Sequence, residues 1–127
     1  MGAWMKILID THIFLWLLYN PNKIKQRYID ILGNSNNQIY ISSLSIAEIM
    51  IKKSVNKLNV EFDLDYSLEK FNAKILDFDA RSALLLASLP FHHRDPFDRM
   101  IISQAITKKL TIFSVDKKFK LYECELL

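Results

Sequence analysis

The chain has 127 residues, of which half are hydrophobic and 24% are charged, and its net charge is +3 at pH 7. This composition is typical of a single globular domain and excludes an intrinsically disordered chain. The net charge is too small to establish a nucleic-acid partner by itself, and the single cysteine, Cys124, excludes an internal disulfide framework and favours a reducing cytoplasm.

No segment of the sequence favours membrane insertion or export. The longest apolar run, at 13–18, is much shorter than the roughly 20 residues that a transmembrane helix needs. Met5 fits a native start, which makes 1–4 an expected expression remnant. We therefore expect a cytoplasmic protein with no membrane partner and a single domain at 5–127.

Short apolar runs alternate with helical periodicities along the chain. In chain order, the sequence predicts a strand at 5–9, a helix at 11–20, a helix at 22–34, a strand at 38–42, a helix at 43–54, a helix at 64–71, a strand at 73–78, a helix at 79–89, a helix from 95, a strand at 110–115, a helical turn at 116–120 and a strand at 122–127. Strands that alternate with helices indicate an α/β sandwich around a mostly parallel sheet.

Capping residues mark the starts of two of these helices. Thr11 is a candidate N-cap of the first helix. Asp95 is followed by Pro96, with Asp98 in the first turn, and this order is typical of a helix N-terminus. Both helix starts therefore carry polar side chains next to predicted core.

Two aspartates directly follow predicted strands. Asp10 comes after the strand at 5–9, and Asp116 comes after the strand at 110–115. Ligands of open parallel sheets bind outside the carboxyl ends of the strands, so both carboxylates would lie where a ligand binds. For either residue taken singly, a helix N-cap is an equally ordinary explanation.

Two further acids lie among apolar residues. Glu48 is the one charged residue in the run IAEIMI, and Asp98 shares a helical stripe with three apolar side chains. A buried carboxylate costs on the order of several kcal/mol unless a cation compensates its charge. The structural alternatives are a capping box between Ser45 and Glu48, and an N-terminal position for Asp98 that the helix dipole stabilises.

Together these acids predict a divalent-metal site. Carboxylate oxygens are preferred ligands of Mg²⁺ and Mn²⁺, and such a site can activate a water against a phosphodiester. The predicted metal ligands are Asp10, Asp98 and Asp116, with Glu48 completing the shell directly or through water and Asp95 as a further candidate. The spacing alone does not establish that the acids converge.

Four blocks of sequence follow one another along nearly the whole chain: ILIDTHIFLW, SSLSIAEIMIKKSVNKL, LPFHHRDPFDRMIISQA and IFSVDKKFKLY. Together they resemble the PIN-domain ribonucleases, and specifically the VapC-type toxins of bacterial toxin–antitoxin pairs. The acidic site of that family falls on Asp10, Glu48, Asp98 and Asp116, with no acid missing. The resemblance implies a Rossmann-like, three-layer α/β/α sandwich with a central, mostly parallel sheet.

The resemblance also implies a function. Proteins of this kind cleave RNA endonucleolytically with a divalent metal, here Mg²⁺ or Mn²⁺. A small antitoxin encoded beside the toxin blocks the site with its C-terminal segment, and the toxins commonly form homodimers. The alternative is a non-catalytic module that binds RNA or a protein and whose acids hold a structural ion. Metal-dependent turnover that is lost when one acid is substituted would separate the two.

Other polar residues near the acids are candidates for substrate contact. Thr11 and Ser114 could hydrogen-bond a ligand carboxylate or its water, whereas Arg94 and Lys117 could contact an RNA phosphate. Two groups of lysines flank Glu48 and Asp116: Lys52, Lys53 and Lys57, and Lys117, Lys118 and Lys120. A solvated basic face is the simpler interpretation of both groups, and contact to the RNA backbone is the alternative.

The pair His92 and His93 fits a loop role better than a zinc site, since no other histidine stands at ligand spacing. A contact to phosphate is the functional alternative for this pair.

Overall fold

Five parallel strands form one sheet in the computed structural model, which describes residues 4–92, 94–116, 119 and 125–127. They are β1 (Lys6–Ile9), β2 (Gln38–Ser42), β3 (Ala73–Leu76), β4 (Thr111–Phe113) and β5 (Glu125–Leu126). Their order is β3-β2-β1-β4-β5, and every neighbouring pair is parallel. The strand order reverses between β1 and β4, because β2 and β3 follow on one side of β1 and β4 and β5 on its other side. Open parallel sheets bind ligands at such a switch point.

Helices connect the strands and cover the sheet. They are α1 (Thr11–Tyr19), a short 3-10 helix (Pro21–Lys23), α2 (Gln26–Gly33), α3 (Ser43–Ser54), α4 (Leu64–Lys70), α5 (Ala80–Leu85) and α6 (Pro96–Lys108). The predicted turn at 116–120 lies outside the described residues except for its two residues Asp116 and Phe119. In the part of the chain that the structure describes, no helix has the length and apolar character to cross a membrane.

Alternate residues of β1 pack on opposite faces of the sheet. Ile7 and Ile9 are fully buried in one core with Phe14 of α1, whereas Leu8 is fully buried in a second core with Ile101 of α6. A strand that is covered on both faces is typical of parallel sheets in α/β proteins. The predicted three-layer α/β/α sandwich is therefore confirmed.

Two helices are shorter than predicted. The helix predicted at 22–34 is divided into the 3-10 helix and α2, which begins only at Gln26. Between them Ile24 has an extended backbone and is buried in the core.

The sequence also predicts a helix at 79–89, but α5 ends at Leu85. In a continued helix the carbonyl of Leu86 would face Pro90, which has no N–H to donate. The guanidinium group of Arg99 instead donates hydrogen bonds to the backbone carbonyls of Leu86, Leu89 and Pro90.

Candidate active site

Asp10 is the first residue after the central strand, and it is almost completely buried. Its Oδ1 accepts a hydrogen bond of 2.8 Å from the N–H of Ile13, and its Oδ2 accepts one from the hydroxyl of Ser114. The first of these bonds makes Asp10 the N-cap of α1. The prediction that Thr11 caps this helix is therefore wrong, because Thr11 is already its first helical residue.

Burial raises the pKa of the Asp10 carboxyl above its usual range. The hydrogen bonds from Ser114 and Ile13 and the charge of His12 act to lower this pKa, whereas the charge of Asp116 raises it further. The ionised form of Asp10 is therefore held at a cost in free energy, and a nearby cation would reduce that cost.

Asp116 lies beyond a turn and not directly after its strand. The strand β4 ends at Phe113, two residues earlier than predicted, because Ser114 Oγ accepts a hydrogen bond of 3.0 Å from the N–H of Asp116. The same hydroxyl donates to Asp10, so Ser114 joins the two acids. The side chain of Asp116 lines a neighbouring cavity of about 430 Å³ between β4 and α1.

Glu48 lies one turn into α3 and is buried. The N-cap of this helix is Ser42, whose Oγ accepts a hydrogen bond of 3.0 Å from Leu44 N–H. A capping box between Ser45 and Glu48 is therefore excluded. Glu48 Oε2 lies 2.9 Å from Lys52 Nζ, whereas Oε1 is buried without a hydrogen-bond partner among the described residues. An unsatisfied buried acceptor carries a desolvation cost of about 1–3 kcal/mol, and more when it is charged.

The start of α6 has the predicted capping pattern. Asp95 is the N-cap, and its Oδ1 accepts hydrogen bonds from the N–H groups of Phe97, at 2.8 Å, and Asp98, at 3.3 Å. Asp98 is half-buried in the first turn, while Ile101 and Ile102 further along the helix are fully buried. Asp98 therefore lies at the edge of the core, near the positive end of the helix dipole.

One cavity of about 280 Å³ collects four of the five acids that the sequence singled out. We call it the acid cavity, and it is lined by Asp10, Thr11, His12, Leu15, Glu48, Ile49, Lys52, Lys57, Leu58, Asp95 and Asp98. Its acids come from the end of β1, from α3 and from the start of α6. Four of the predicted acids therefore line one cavity at the predicted edge of the sheet, and Asp116 lies outside it.

Buried polar contacts connect the elements around the acid cavity. Ser42 Oγ donates to Gln104 Oε1 at 2.6 Å, and Gln104 Nε2 donates to the carbonyl of Leu76 at 3.3 Å. Thr11 Oγ1 donates to Ser45 Oγ at 2.9 Å, which connects α1 to α3. The sequence analysis did not identify Ser42 or Gln104, although a lone glutamine in the apolar stretch IISQAI is the signal that could have done so.

Among the predicted substrate-binding residues that the structure describes, Thr11 alone lines the acid cavity. The hydroxyl group of Thr11, however, donates its hydrogen bond to Ser45. Ser114 contacts Asp10, and Arg94 is exposed outside the residues that line the cavity. His92 is also exposed, whereas Lys117 and His93 lie outside the described residues.

Lys52 lies closer to the acids than the sequence indicated. The sequence placed it in a basic group that flanks Glu48 and that is either a solvated face or a contact to the RNA backbone, whereas the structure places it in the lining of the acid cavity and in an ion pair with Glu48. The available signal was the spacing, because glutamate followed four residues later by lysine is the favourable order for an ion pair on a helix.

The donor set fits a divalent cation in chemical type. All four acids of the cavity offer oxygen, the ligand that Mg²⁺ and Mn²⁺ prefer, and Glu48 Oε1 is an acceptor that a cation would satisfy. Among the residues that the structure describes, however, no three acidic, histidine or cysteine side chains form a group that could hold a metal ion. Ligation by one or two carboxylates together with water, which is common for Mg²⁺, fits this arrangement.

Comparison with protein families identifies the chain. The model of the PIN domain matches residues 7–123, nearly the whole length. The protein belongs to the PIN-domain family. The resemblance seen in the sequence blocks is thereby confirmed at the level of the family, and no curated protein matches the sequence.

Solved structures with the same fold include several VapBC proteins. VapBC2 from Rickettsia felis, bound to a DNA fragment from its promoter, aligns with a TM-score of 0.74 and 23% identity over 97% of this PIN-domain chain and 98% of the other. VapBC-1 from nontypeable Haemophilus influenzae has a TM-score of 0.66 and 17% identity over 97% of both chains. VapBC-5 from Mycobacterium tuberculosis, a member of the VapBC family of toxin–antitoxin systems, has a TM-score of 0.57 and 16% identity over 96% of this chain and 95% of the other. At these identities the likeness shows the fold.

Proposed function

We propose that this PIN-domain protein is a divalent-metal-dependent endoribonuclease and the toxin of a toxin–antitoxin pair. The observation that carries the proposal is the acid cavity, which is lined by acids from three separate elements at the carboxyl edge of the sheet. Such a concentration of negative charge is costly without a cation, and ligands of open parallel sheets bind at this kind of edge.

Mg²⁺ or Mn²⁺ would be held by one or two carboxylates of the acid cavity together with water. The proposed ligands are drawn from Asp10, Asp98 and Glu48, with Asp95 as an additional candidate. Asp116 belongs to the site in this proposal through the turn that Ser114 connects to Asp10. A divalent cation in such a site activates a water for attack on a phosphodiester and stabilises the leaving oxygen.

The protein's own residues orient and balance this site. Ser114 holds Asp10 by its Oδ2, and the N–H of Ile13 holds it by Oδ1, so the carboxylate is fixed before any ligand binds. Lys57, at the mouth of the acid cavity, is placed to attract the phosphate backbone of RNA. Arg94 and Lys117 are further candidates for that contact, and binding through them would weaken as salt rises.

The proposed protein partner is a small antitoxin, and this part of the proposal is supported by the shared fold with VapBC structures. A homodimer is proposed as well, because Met50, Ile51 and Val55 leave exposed apolar surface on and just after α3. Light scattering of the purified protein measures the oligomeric state directly. The site of action would be the cytoplasm, which the reduced state expected for a single cysteine suits.

A cleavage assay tests the proposed activity. Single-stranded and structured RNA are incubated with the wild-type protein in Mg²⁺, in Mn²⁺ and in EDTA, and Asp98→Asn is compared with wild type. We expect cleavage that requires the metal and that Asp98→Asn abolishes while the fold stays intact. Asp65→Asn is a matched control, because Asp65 is an exposed aspartate in the first turn of α4. It should cleave as the wild type does.

A non-catalytic binding module is the second candidate function. In this alternative the same carboxylates hold a structural ion, and the protein binds RNA or another protein without turnover. RNA binding without cleavage in either metal would support this module over the nuclease. Unfolding of Asp98→Asn in a thermal melt would assign Asp98 a structural role.

A further inference from the structure

Lys52 enters the acid cavity from the solvent side and pairs with a buried carboxylate. Its side chain is 48% exposed, whereas that of Glu48 is only 8% exposed, and the two charged atoms lie 2.9 Å apart. An ordinary ion pair at this helical spacing has both partners in water and contributes a few tenths of a kcal/mol. Here the carboxylate is largely desolvated, so the ammonium group compensates a charge that water screens only weakly.

The charges that face Lys52 come from two helices. The hydrogen bond with Glu48 is the largest effect that raises the pKa of Lys52, and the charges of Glu48, Asp95 and Asp98 raise it as well, against a lowering by burial. The ammonium group therefore lies in the negative field of the acid cavity. It lies among the same carboxylates that would bind a divalent cation.

One oxygen of Glu48 stays unsatisfied in this pair. Lys52 neutralises Oε2, while Oε1 is buried without a partner among the described residues. A divalent cation carries twice the charge of the ammonium group and can coordinate the oxygen that the lysine leaves alone. The lysine side chain is long and half exposed, so it can move into solvent when it loses its partner.

We infer that Lys52 is a resident counter-ion of the acid cavity, which neutralises Glu48 in the metal-free protein and which a divalent cation displaces when it binds. The inference rests on the proposed function, since it requires the acid cavity to be a metal site. Its consequence is that Lys52 stabilises the protein without metal and at the same time weakens metal binding. The site is thereby biased against occupation at low metal concentration.

Calorimetric titration with Mn²⁺ alone, without RNA, tests this competition. Lys52→Gln should bind Mn²⁺ about tenfold more tightly than the wild type, which corresponds to about 1.4 kcal/mol. Lys53→Gln is the matched control, because the neighbouring lysine pairs with the exposed Glu61 at 2.7 Å and does not line the cavity. Its affinity should equal that of the wild type. Equal or weaker Mn²⁺ binding by Lys52→Gln than by the wild type would overturn the inference.

A thermal melt of the same variants gives a second readout that does not depend on catalysis. In EDTA, Lys52→Gln should melt below the wild type, because it leaves the buried Glu48 without its counter-ion. Saturating Mn²⁺ should then raise its melting temperature by more than it raises that of the wild type. A similar rise in both proteins would contradict the displacement.

The wild-type protein provides a test that needs no folded variant. Lysine acetylation followed by mass spectrometry should modify Lys52 faster in Mn²⁺ than in EDTA, because the displaced amine leaves its ion pair. Lys53 should react equally in both. Protection of Lys52 by Mn²⁺, or an unchanged rate, would overturn the inference.

These measurements separate the inference from the function on which it rests. If the wild type binds Mn²⁺ and cleaves RNA while Lys52→Gln binds the metal no more tightly, the inference fails and the proposed nuclease stands. If neither the wild type nor Lys52→Gln binds Mn²⁺, the metal-dependent nuclease fails and the inference fails with it.

Discussion

Ser114 donates a hydrogen bond from its Oγ to Oδ2 of Asp10, across 104 residues of sequence. The contact joins the carboxyl ends of β1 and β4, the two strands between which the strand order of the sheet reverses. It also acts against burial, which raises the pKa of Asp10. The orientation and the charge of the Asp10 carboxylate therefore depend on a serine that is distant in the sequence.

Removing this hydroxyl should weaken the site without removing an acid. In Ser114→Ala the pKa of Asp10 should rise further, because the carboxylate loses the hydrogen bond that favours its ionised form. We expect Mn²⁺ affinity and the kcat/KM of RNA cleavage to fall by about 10- to 100-fold, as is usual when a group that orients a metal ligand is lost. Ser114→Thr keeps the hydroxyl and serves as control. Wild-type Mn²⁺ affinity in the alanine variant would show that Ser114 does not orient Asp10.

Two substitutions of Asp10 separate its capping role from its charge. Asp10→Asn keeps an oxygen that can accept the hydrogen bond from Ile13 N–H, so α1 retains its N-cap. We expect this variant to lose cleavage while its free energy of unfolding in EDTA stays at or above that of the wild type. Asp10→Ala should instead lose about 0.5–2 kcal/mol of stability together with the cap. Urea denaturation measures both, and equal stability of the asparagine and alanine variants would argue against the cap.

Gln104 should matter for the fold and not for chemistry. It is fully buried and connects Ser42, at the start of α3, to the carbonyl of Leu76 at the end of β3. Gln104→Leu has a similar volume but leaves both partners unsatisfied, which we expect to cost about 1–3 kcal/mol in the free energy of unfolding. Gln26→Leu, at an exposed position of α2, is the control. A loss no larger than that of the control would show that the buried network is energetically neutral.

An ion pair far from the acid cavity provides a pH test. Asp79 caps α5 and contacts Lys108 Nζ at 2.6 Å, and this contact is the main reason that its pKa is lowered to about 2. A lowered pKa means that the folded state favours the ionised form. The resulting stability is therefore present above the ordinary pKa of 3.8 and is lost as the pH falls toward about 2.

Asp79→Asn keeps an N-cap oxygen but removes the charge. The difference in free energy of unfolding between the wild type and this variant should be small and constant near neutral pH, because the pair is exposed. It should shrink as the pH is lowered through about 3.8 toward about 2 in urea titrations. A difference that grows on acidification would contradict the sign of the pKa shift.

The sequence correctly predicted features that depend only on neighbouring residues, such as a buried strand and a helix N-cap. The apolar run at 6–9 and the acid that follows it were predicted as a strand and its carboxyl end, and the same logic predicted the N-cap at Asp95. Asp10, Asp95 and Asp98 line one cavity because each stands at or next to the end of an element at the same edge of the parallel sheet.

The errors arise where a distant side chain changes a local preference. Arg99 donates hydrogen bonds to carbonyls of the segment that follows α5, and Ser114 accepts one from Asp116 N–H just beyond β4. For the same reason, Lys52 was not predicted to line the acid cavity. Its spacing from Glu48 is visible in the sequence, but the burial that gives the pair its importance depends on how α1, α3 and α6 pack.

The strand order has a consequence for synthesis of the protein. The central strand β1 leaves the ribosome first, yet its neighbour β4 and the serine that holds Asp10 are made 104 residues later. At about 5–20 residues per second, this interval lasts about 5–20 seconds. During this interval a nascent chain carries Asp10 without the hydrogen bond from Ser114 that orients it. If the protein is the proposed toxin, its activity against RNA is withheld until β4 and Ser114 have been made, which gives a partner translated alongside it time to be ready.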